Sequence, residues 1–212
     1  MLLANSSFAP VMEVEQFRVG HMQNFSYLLY SGKEAAVVDP SFDIRRVMER
    51  AEELGLRVNY VLLTHHHFDH IMEAENLAHR SGAKIVAFRD SIAGHDIAVE
   101  DGSILKLGEE EIKVMHTPGH TADSVCYLIP DGVFTGDTLF VGECGRVDLE
   151  DSSPEDMYES LLVKLYGLPD STIVYPGHDY GPTPSSTIGN EKKNNYTMKK
   201  RTREEFLNFI RS

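Results

Sequence analysis

Hydrophobic positions in the first third of the chain fall into short blocks of strand length. Residues 12–19 alternate moderately, Phe25–Tyr30 follow after Gly20, and Ala35–Val38 form a third block ending at Asp39-Pro40. Ser31-Gly32-Lys33-Glu34 has turn chemistry, so the segment predicts a β-meander. The period then changes. Ile44, Val47, Met48 and Ala51 recur at helical spacing behind a capping Asp43, and Gly55 stops a helix that reaches about Leu54. Val58–Leu63, apolar except for Asn59, reads as a buried strand.

Further along, helix and strand patterns mix. Ile71–His79 reads as a helix ending at Ser81-Gly82, and Lys84–Ala87 as a strand. Residues 90–102 carry no clear period and are expected to be irregular. Strands are expected near Ile104–Leu107, Glu111–His116, Ser124–Ile129, Val133–Thr135 and Thr172–Tyr175. Ser153-Pro154-Glu155-Asp156 opens a helix to about Tyr166, with a capping serine and proline at the first position. Two helices finish the chain, one after Ser185-Ser186 and one over Arg203–Ile210. Each half carries a comparable set of elements without a detectable repeat. That order predicts two sheets packed face to face with helices outside. No linker or low-complexity stretch intervenes, so residues 1–212 read as one domain with a short helical tail from about 185.

Composition narrows the function classes. With 42% hydrophobic and 25% charged residues the chain is an ordinary globular protein, and no apolar run approaches the roughly 20 residues that span a bilayer. Met1–Pro10 lack the basic and apolar parts of a signal peptide, so a cytoplasmic location is expected. The net charge of −13 argues against a general binder of nucleic acid or of an anionic membrane. Cys126 and Cys144 form no CxxC pair, and Cys126 lies in an apolar run as a small buried hydrophobe would. A homo-oligomer is compatible with the sequence.

The ten histidines are unevenly spread. Thr64-His65-His66-His67-Phe68-Asp69-His70 follows the buried Val58–Leu63 strand directly. Residues two apart in an extended segment point the same way, so His65 and His67 can converge on one ion while His66 points away. As the chain turns into the next helix, Asp69 and His70 can face a second ion. Imidazole and carboxylate suit zinc, iron or manganese. Three further strand ends carry the same grammar: Thr117-Pro118-Gly119-His120, Thr135-Gly136-Asp137 and Pro176-Gly177-His178. Strand ends on one edge of a sandwich can meet above it. His116 reads either as a support for this cluster or as a core histidine, and His21, His79 and His95 as structural or surface residues.

This set of motifs resembles the metallo-β-lactamase superfamily over nearly the whole chain. The resemblance implies an α+β, four-layer αββα sandwich with the site at its edge. It implies His65, His67 and His120 on a first metal, Asp69, His70 and His178 on a second, and Asp137 bridging both. It implies two divalent ions, zinc foremost, with iron or manganese compatible. Asp39 resembles the buried aspartate that orients the ligands in this superfamily, with a turn residue before Pro40 as the competing reading.

Within the superfamily, Gly142-Glu143-Cys144-Gly145-Arg146 and Gly177-His178-Asp179-Tyr180 resemble the glyoxalase II (hydroxyacylglutathione hydrolase) branch. That branch implies a thiolester hydrolase in which a metal-bridging hydroxide cleaves an acylated small thiol, glutathione or another carrier. Asp69 and Asp137 would act in catalysis, with Tyr180 and Arg146 contacting substrate. Arg146 reads equally as a loop arginine paired with Asp148, and the basic residues Lys192–Arg203 as a carrier contact or a solvated helix face. Arg146-Val147-Asp148 departs from the glyoxalase II pattern and looks more like the persulfide dioxygenases, which use a single iron. The end of the chain at Ser212 looks more like short single-domain members. A nucleic-acid-processing nuclease of the same superfamily ranks below both, because this acidic chain shows no clamping insertion.

Overall fold

Alternation within single strands divides their side chains between separate cores. In β2 (Asn24–Ser31), Phe25, Tyr27 and Leu29 join one apolar cluster, and Leu28 and Tyr30 another. In β3 (Glu34–Val38) and β5 (Lys84–Phe88), Ala36, Val38, Val86 and Phe88 part in the same way from Ala35, Val37, Ile85 and Ala87. A strand apolar on both faces needs cover on both. The computed structural model, which describes residues 12–211, supplies that cover with helices on one face and a second sheet on the other.

The first sheet adds β1 (Glu13–Val19), β4 (Arg57–Leu62) and β6 (Ile97–Val99) and runs in the order β1-β2-β3-β4-β5-β6. The second comprises β7 (Ile104–Leu107), β8 (Glu110–His116), β9 (Val125–Ile129), β10 (Gly132–Gly136), β11 (Ile173–Pro176) and β12 (Ser186–Thr187), in the reverse order β12 to β7. Both sheets are mixed: β3, β4, β5 and β6 pair in parallel, as do β10 and β11, and the other pairings are antiparallel. Phe25, Tyr27, Leu62 and Val86 meet Ile112, Val114, Tyr127 and Phe134 between the sheets. Fully burying each such aliphatic or aromatic side chain contributes about 1.5–3 kcal/mol.

Helices α1 (Arg45–Glu53) and α3 (Ala74–Ser81) cover the outer face of the first sheet through Val47, Ala51, Ala74 and Leu77. On the second sheet, Cys126, Val133 and Val174 are covered by α4 (Pro154–Tyr158), α5 (Ile188–Asn194) and α6 (Arg203–Ile210) through Met157, Ile188 and Phe206. The result is the expected α+β sandwich of four layers, αββα. Among the described residues no helix is long and apolar enough to cross a membrane.

Several local expectations are corrected. The helix expected over 71–79 is two pieces, α2 (Phe68–Ile71) and α3, parted where the Glu73 N–H donates to the Pro40 carbonyl at 3.0 Å instead of within the helix. Asp43 accepts the Arg45 N–H at 3.1 Å, although the helix itself begins only at Arg45. Residues 90–102 contain β6, anchored where the Asp96 carboxylate accepts the Ile85 N–H at 2.9 Å. The two-residue β12 was likewise not expected; it has no apolar period to reveal it. The helix begun at Ser153 does run on past α4, but as a π-helical segment over Glu159–Lys164 and a 3₁₀ turn over Leu165–Gly167. Expectations placed on Met1–Pro10 lie outside the described residues.

Both cysteines are free and buried. Burial pushes the Cys126 thiol up to about 12, and burial together with the neighbouring Glu143 carboxylate does the same for Cys144. Only a thiolate reacts readily. An aromatic disulfide reagent is therefore expected to leave the folded protein unlabelled and to count both thiols only after denaturation. Rapid reaction of either in the native state would contradict this.

Candidate metal centre

Five strands deliver the site from one edge of the sandwich. Asp39 follows β3, residues 64–70 follow β4, His120 follows β8 through a proline-glycine turn, Asp137 follows β10, and His178 follows β11. These directions agree: β3 and β4 are parallel, β10 and β11 are parallel, and β8 runs with β10 because both are antiparallel to β9. The two sheets are stitched at this edge by the Val125 N–H, which donates to the Thr64 carbonyl at 2.8 Å.

His67 is extended and caps the single turn of α2, which carries Asp69 and His70 into the interior. His65 Nε2 lies 3.1 Å from His67 Nδ1, and His120 Nε2 lies 3.0 Å from the same atom. Two nitrogens bound tetrahedrally to one zinc ion at about 2.0–2.1 Å would stand about 3.3 Å apart. On the other side, His70 Nε2 is 3.2 Å from His178 Nε2, and Asp69 Oδ2 is 3.4 Å from the latter. His65, His67 and His120 thus form one compact donor group, and Asp69, His70 and His178 another. Asp137 stands between them. Its Oδ1 is 3.3 Å from His70 Nε2, and its Oδ2 is 3.5 Å from His120 Nε2 and 3.4 Å from His178 Nε2.

The outward ring nitrogens are held in place. Asp39 accepts the Thr64 N–H at 2.8 Å, the Thr64 hydroxyl at 2.7 Å and the His70 Nδ1–H at 3.0 Å. With its proton given to Asp39, the Thr64 oxygen accepts from His65 Nδ1 at 3.1 Å. His120 Nδ1 donates to the Arg146 carbonyl at 2.9 Å, and His178 Nδ1 to that of Met22 at 3.0 Å. Each bond leaves the Nε2 lone pair facing inward, the tautomer a metal ligand requires.

The electrostatics call for a cation. Burial, and then the neighbouring imidazoles, hold His65 well below the usual histidine range and His67 below it. Burial disfavours the charge on His70 as well, but Asp137 and Asp39 outweigh it and hold that ring well above the range. Burial would raise Asp137, yet the adjacent His70 and His178 hold its carboxyl far down. Asp137 Oδ1 is buried with no hydrogen-bond partner. An ionised oxygen without a donor, facing inward lone pairs, fits divalent metal, and the nitrogen and oxygen donors suit zinc, iron or manganese.

Other expected residues fall differently. Tyr180 lies parallel to the His178 ring at 4.5 Å and is half exposed. The Arg146 guanidinium is engaged by Asp148 in two bonds of 2.7 and 2.8 Å, as its competing reading had it, while its carbonyl holds His120. His66 turns away to Asp123 at 2.8 Å, and His116 stacks on Phe88 at 4.0 Å. Asn24 was not anticipated. Fully buried, it donates to Asp69 Oδ2 at 2.9 Å and to the Asp69 carbonyl at 3.1 Å. Nothing in its local sequence marks it, because its burial comes from the second sheet: Phe25 N–H donates to the Gly177 carbonyl at 2.8 Å.

Gly177 is required by close approach. A Cβ there would lie 2.4 Å from Asp137 Oδ1 and 2.8 Å from His70 Cε1. Gly177→Ala is expected to keep its far-ultraviolet circular dichroism while losing about tenfold or more in metal affinity, of the order seen when a ligand's support is removed. Chelator competition checks this, and wild-type affinity would refute it.

Comparison with known proteins places this geometry. The Metallo-beta-lactamase superfamily profile matches residues 19–93 and 87–178. A probable polyketide biosynthesis zinc-dependent hydrolase, BaeB of Bacillus velezensis, is 36% identical over 208 residues, covering 93% of this chain and 92% of that protein. A hydroxyacylglutathione hydrolase of Maricaulis maris is 40% identical over 165 residues, covering 74% of this chain but only 62% of its own length. The crystal structure of ETHE1 from Myxococcus xanthus superposes with a TM-score of 0.90 at 34% identity, covering 95% of this chain and 91% of that one.

Proposed function

The chain belongs to the metallo-β-lactamase superfamily, and from that premise we propose that it is a thiolester hydrolase of the glyoxalase II type, acting on an acylated small thiol with two divalent ions. The observation that carries the reading is the Asp137 carboxylate set between two donor groups, its Oδ2 close to His120 of one and His178 of the other and its Oδ1 close to His70. In this reading His65, His67 and His120 would hold one ion and Asp69, His70 and His178 the other, with Asp137 placed to reach both. Ions held there supply a polarised carbonyl and a water acidic enough to attack near neutral pH. The protein's own part is orientation. Asp39, Thr64 and the Arg146 and Met22 carbonyls fix the imidazoles, and Asn24 fixes Asp69. Asp137 would act by holding the ions, and Asp69, beside His178, is the carboxylate that would take up a proton. The exposed face of Tyr180 offers a surface for the thiol carrier beside His178. The two buried cysteines are not needed as acyl carriers. The hydrolase names of BaeB and of the Maricaulis protein support this reading.

A second reading, a mononuclear-iron dioxygenase acting on a thiol persulfide, draws on the Arg146-Val147-Asp148 sequence and its ion pair. Metal analysis of the purified protein separates the two, with parallel assays of thiol release from S-lactoylglutathione and of oxygen uptake with glutathione persulfide. Two ions per chain and thiol release are expected. One iron per chain with oxygen uptake and no thiol release would replace the first reading by the second.

A further inference from the structure

A buried carboxylate outside the histidine cluster ties the C-terminal helices to the loop that backs the site. Glu191 of α5 is 1% exposed, and its partners are neutral donors. Oε2 accepts the Gly142 N–H at 2.8 Å and Asn195 Nδ2 at 3.0 Å; Oε1 accepts the Ser186 hydroxyl at 2.5 Å and Asn190 Nδ2 at 3.1 Å. Burying a carboxylate is costly unless its oxygens are so bonded. Asn195, also fully buried, donates onward to the Glu143 carbonyl at 3.1 Å and the Phe140 carbonyl at 3.4 Å. The pair therefore grips the turn that the Phe140 N–H closes onto the Glu143 carbonyl at 2.9 Å.

That turn reaches both donor groups. On one side the Phe140 ring stands edge-on to His178 at 5.7 Å. On the other the chain continues to Gly145, where a Cβ would lie 2.9 Å from His120 Nδ1, and to the Arg146 carbonyl that fixes the same ring. We propose that Glu191 and Asn195 are positioning residues: α5 and its C-terminal cap set the register of the 140–146 loop and, through it, the orientation of His120 and His178. The inference rests on the metal-ligand reading of those histidines.

The test is cobalt(II) titration of the full-length apoprotein, followed by the cobalt absorption bands, with trypsin cleavage after the exposed Arg146 as a second readout. Glu191→Gln keeps an oxygen for Gly142 and Asn195, and is expected to bind cobalt within about threefold of wild type with the same spectrum. Glu191→Ala and Asn195→Ala are expected to bind at least about tenfold more weakly, with altered bands and faster cleavage. Val47→Ala, which thins the core under α1 on the opposite outer layer, controls for lost stability and is expected to change neither readout. Wild-type affinity, spectrum and cleavage in Glu191→Ala would overturn the positioning role, as would losses that Val47→Ala reproduces. A wild-type protein that takes up no cobalt would overturn the ligand reading and this inference with it.

Discussion

Asp137→Ala is expected to lower metal-dependent thiolester cleavage by at least about three orders of magnitude, or ~4 kcal/mol of barrier, and to leave less than the full complement of two ions. The reason is position. The Asp137 oxygens lie within 3.3–3.5 Å of His70, His120 and His178, which span both donor groups. Without that charge the imidazoles face one another with only Asp69 to offset two dications. Asp137→Asn keeps the shape and loses the charge, so its deficit should fall between those of wild type and alanine. Elemental analysis and thiol release measure the two effects separately, and the buried cysteines stay silent in a thiol assay on the folded enzyme. Two tightly held ions and near-wild-type turnover in Asp137→Ala would sink the bridging assignment.

The second large effect is expected at Asp39. Replacing it by alanine strands three buried donors, the Thr64 N–H, the Thr64 hydroxyl and His70 Nδ1. A stranded buried donor costs about 1–3 kcal/mol, so a loss of about 3–5 kcal/mol is expected in urea unfolding of the apoprotein. Metal affinity should fall about 10–100-fold as His70 and, through Thr64, His65 lose their fixed orientation. Asp39 has a φ of +46°, a left-handed conformation that asparagine tolerates better than alanine. Asp39→Asn should accordingly retain more stability than alanine while still losing metal affinity. If alanine changed neither quantity, Asp39 would be only the turn residue before Pro40.

The fold class and the segments that meet at the site were legible because both rest on local pattern. Apolar blocks of strand length mark β2, β3, β4 and β5, and a histidine or aspartate just past a strand marks His65, His120, Asp137 and His178. Alternation alone placed His66 away from the cluster, where Asp123 holds it. What escaped depends on neighbours distant in sequence. The strands β6 and β12 are three and two residues long and exist because an adjacent strand offers an edge. The break between α2 and α3 follows the Glu73 N–H to the Pro40 carbonyl, a partner distant in sequence. No local pattern marks Asn24, Glu191 or Asn195, and the folded chain shows them buried. Arg146, expected either to contact substrate or to pair with Asp148, makes that pair in the fold, and its carbonyl meets His120.

The donor set is divided between the sheets, His65, His67, Asp69 and His70 on one and His120, Asp137 and His178 on the other, and the two free cysteines form no disulfide between them. Ions bound there would be the cross-links of the sandwich. Because a ligand that binds only the folded form stabilises it by about 4 kcal/mol at a thousandfold excess over its dissociation constant, parting the sheets and releasing the ions become one event. A chelator would then weaken the folded protein without itself unfolding it, and the supply of metal would bear on the enzyme's lifetime as well as its rate.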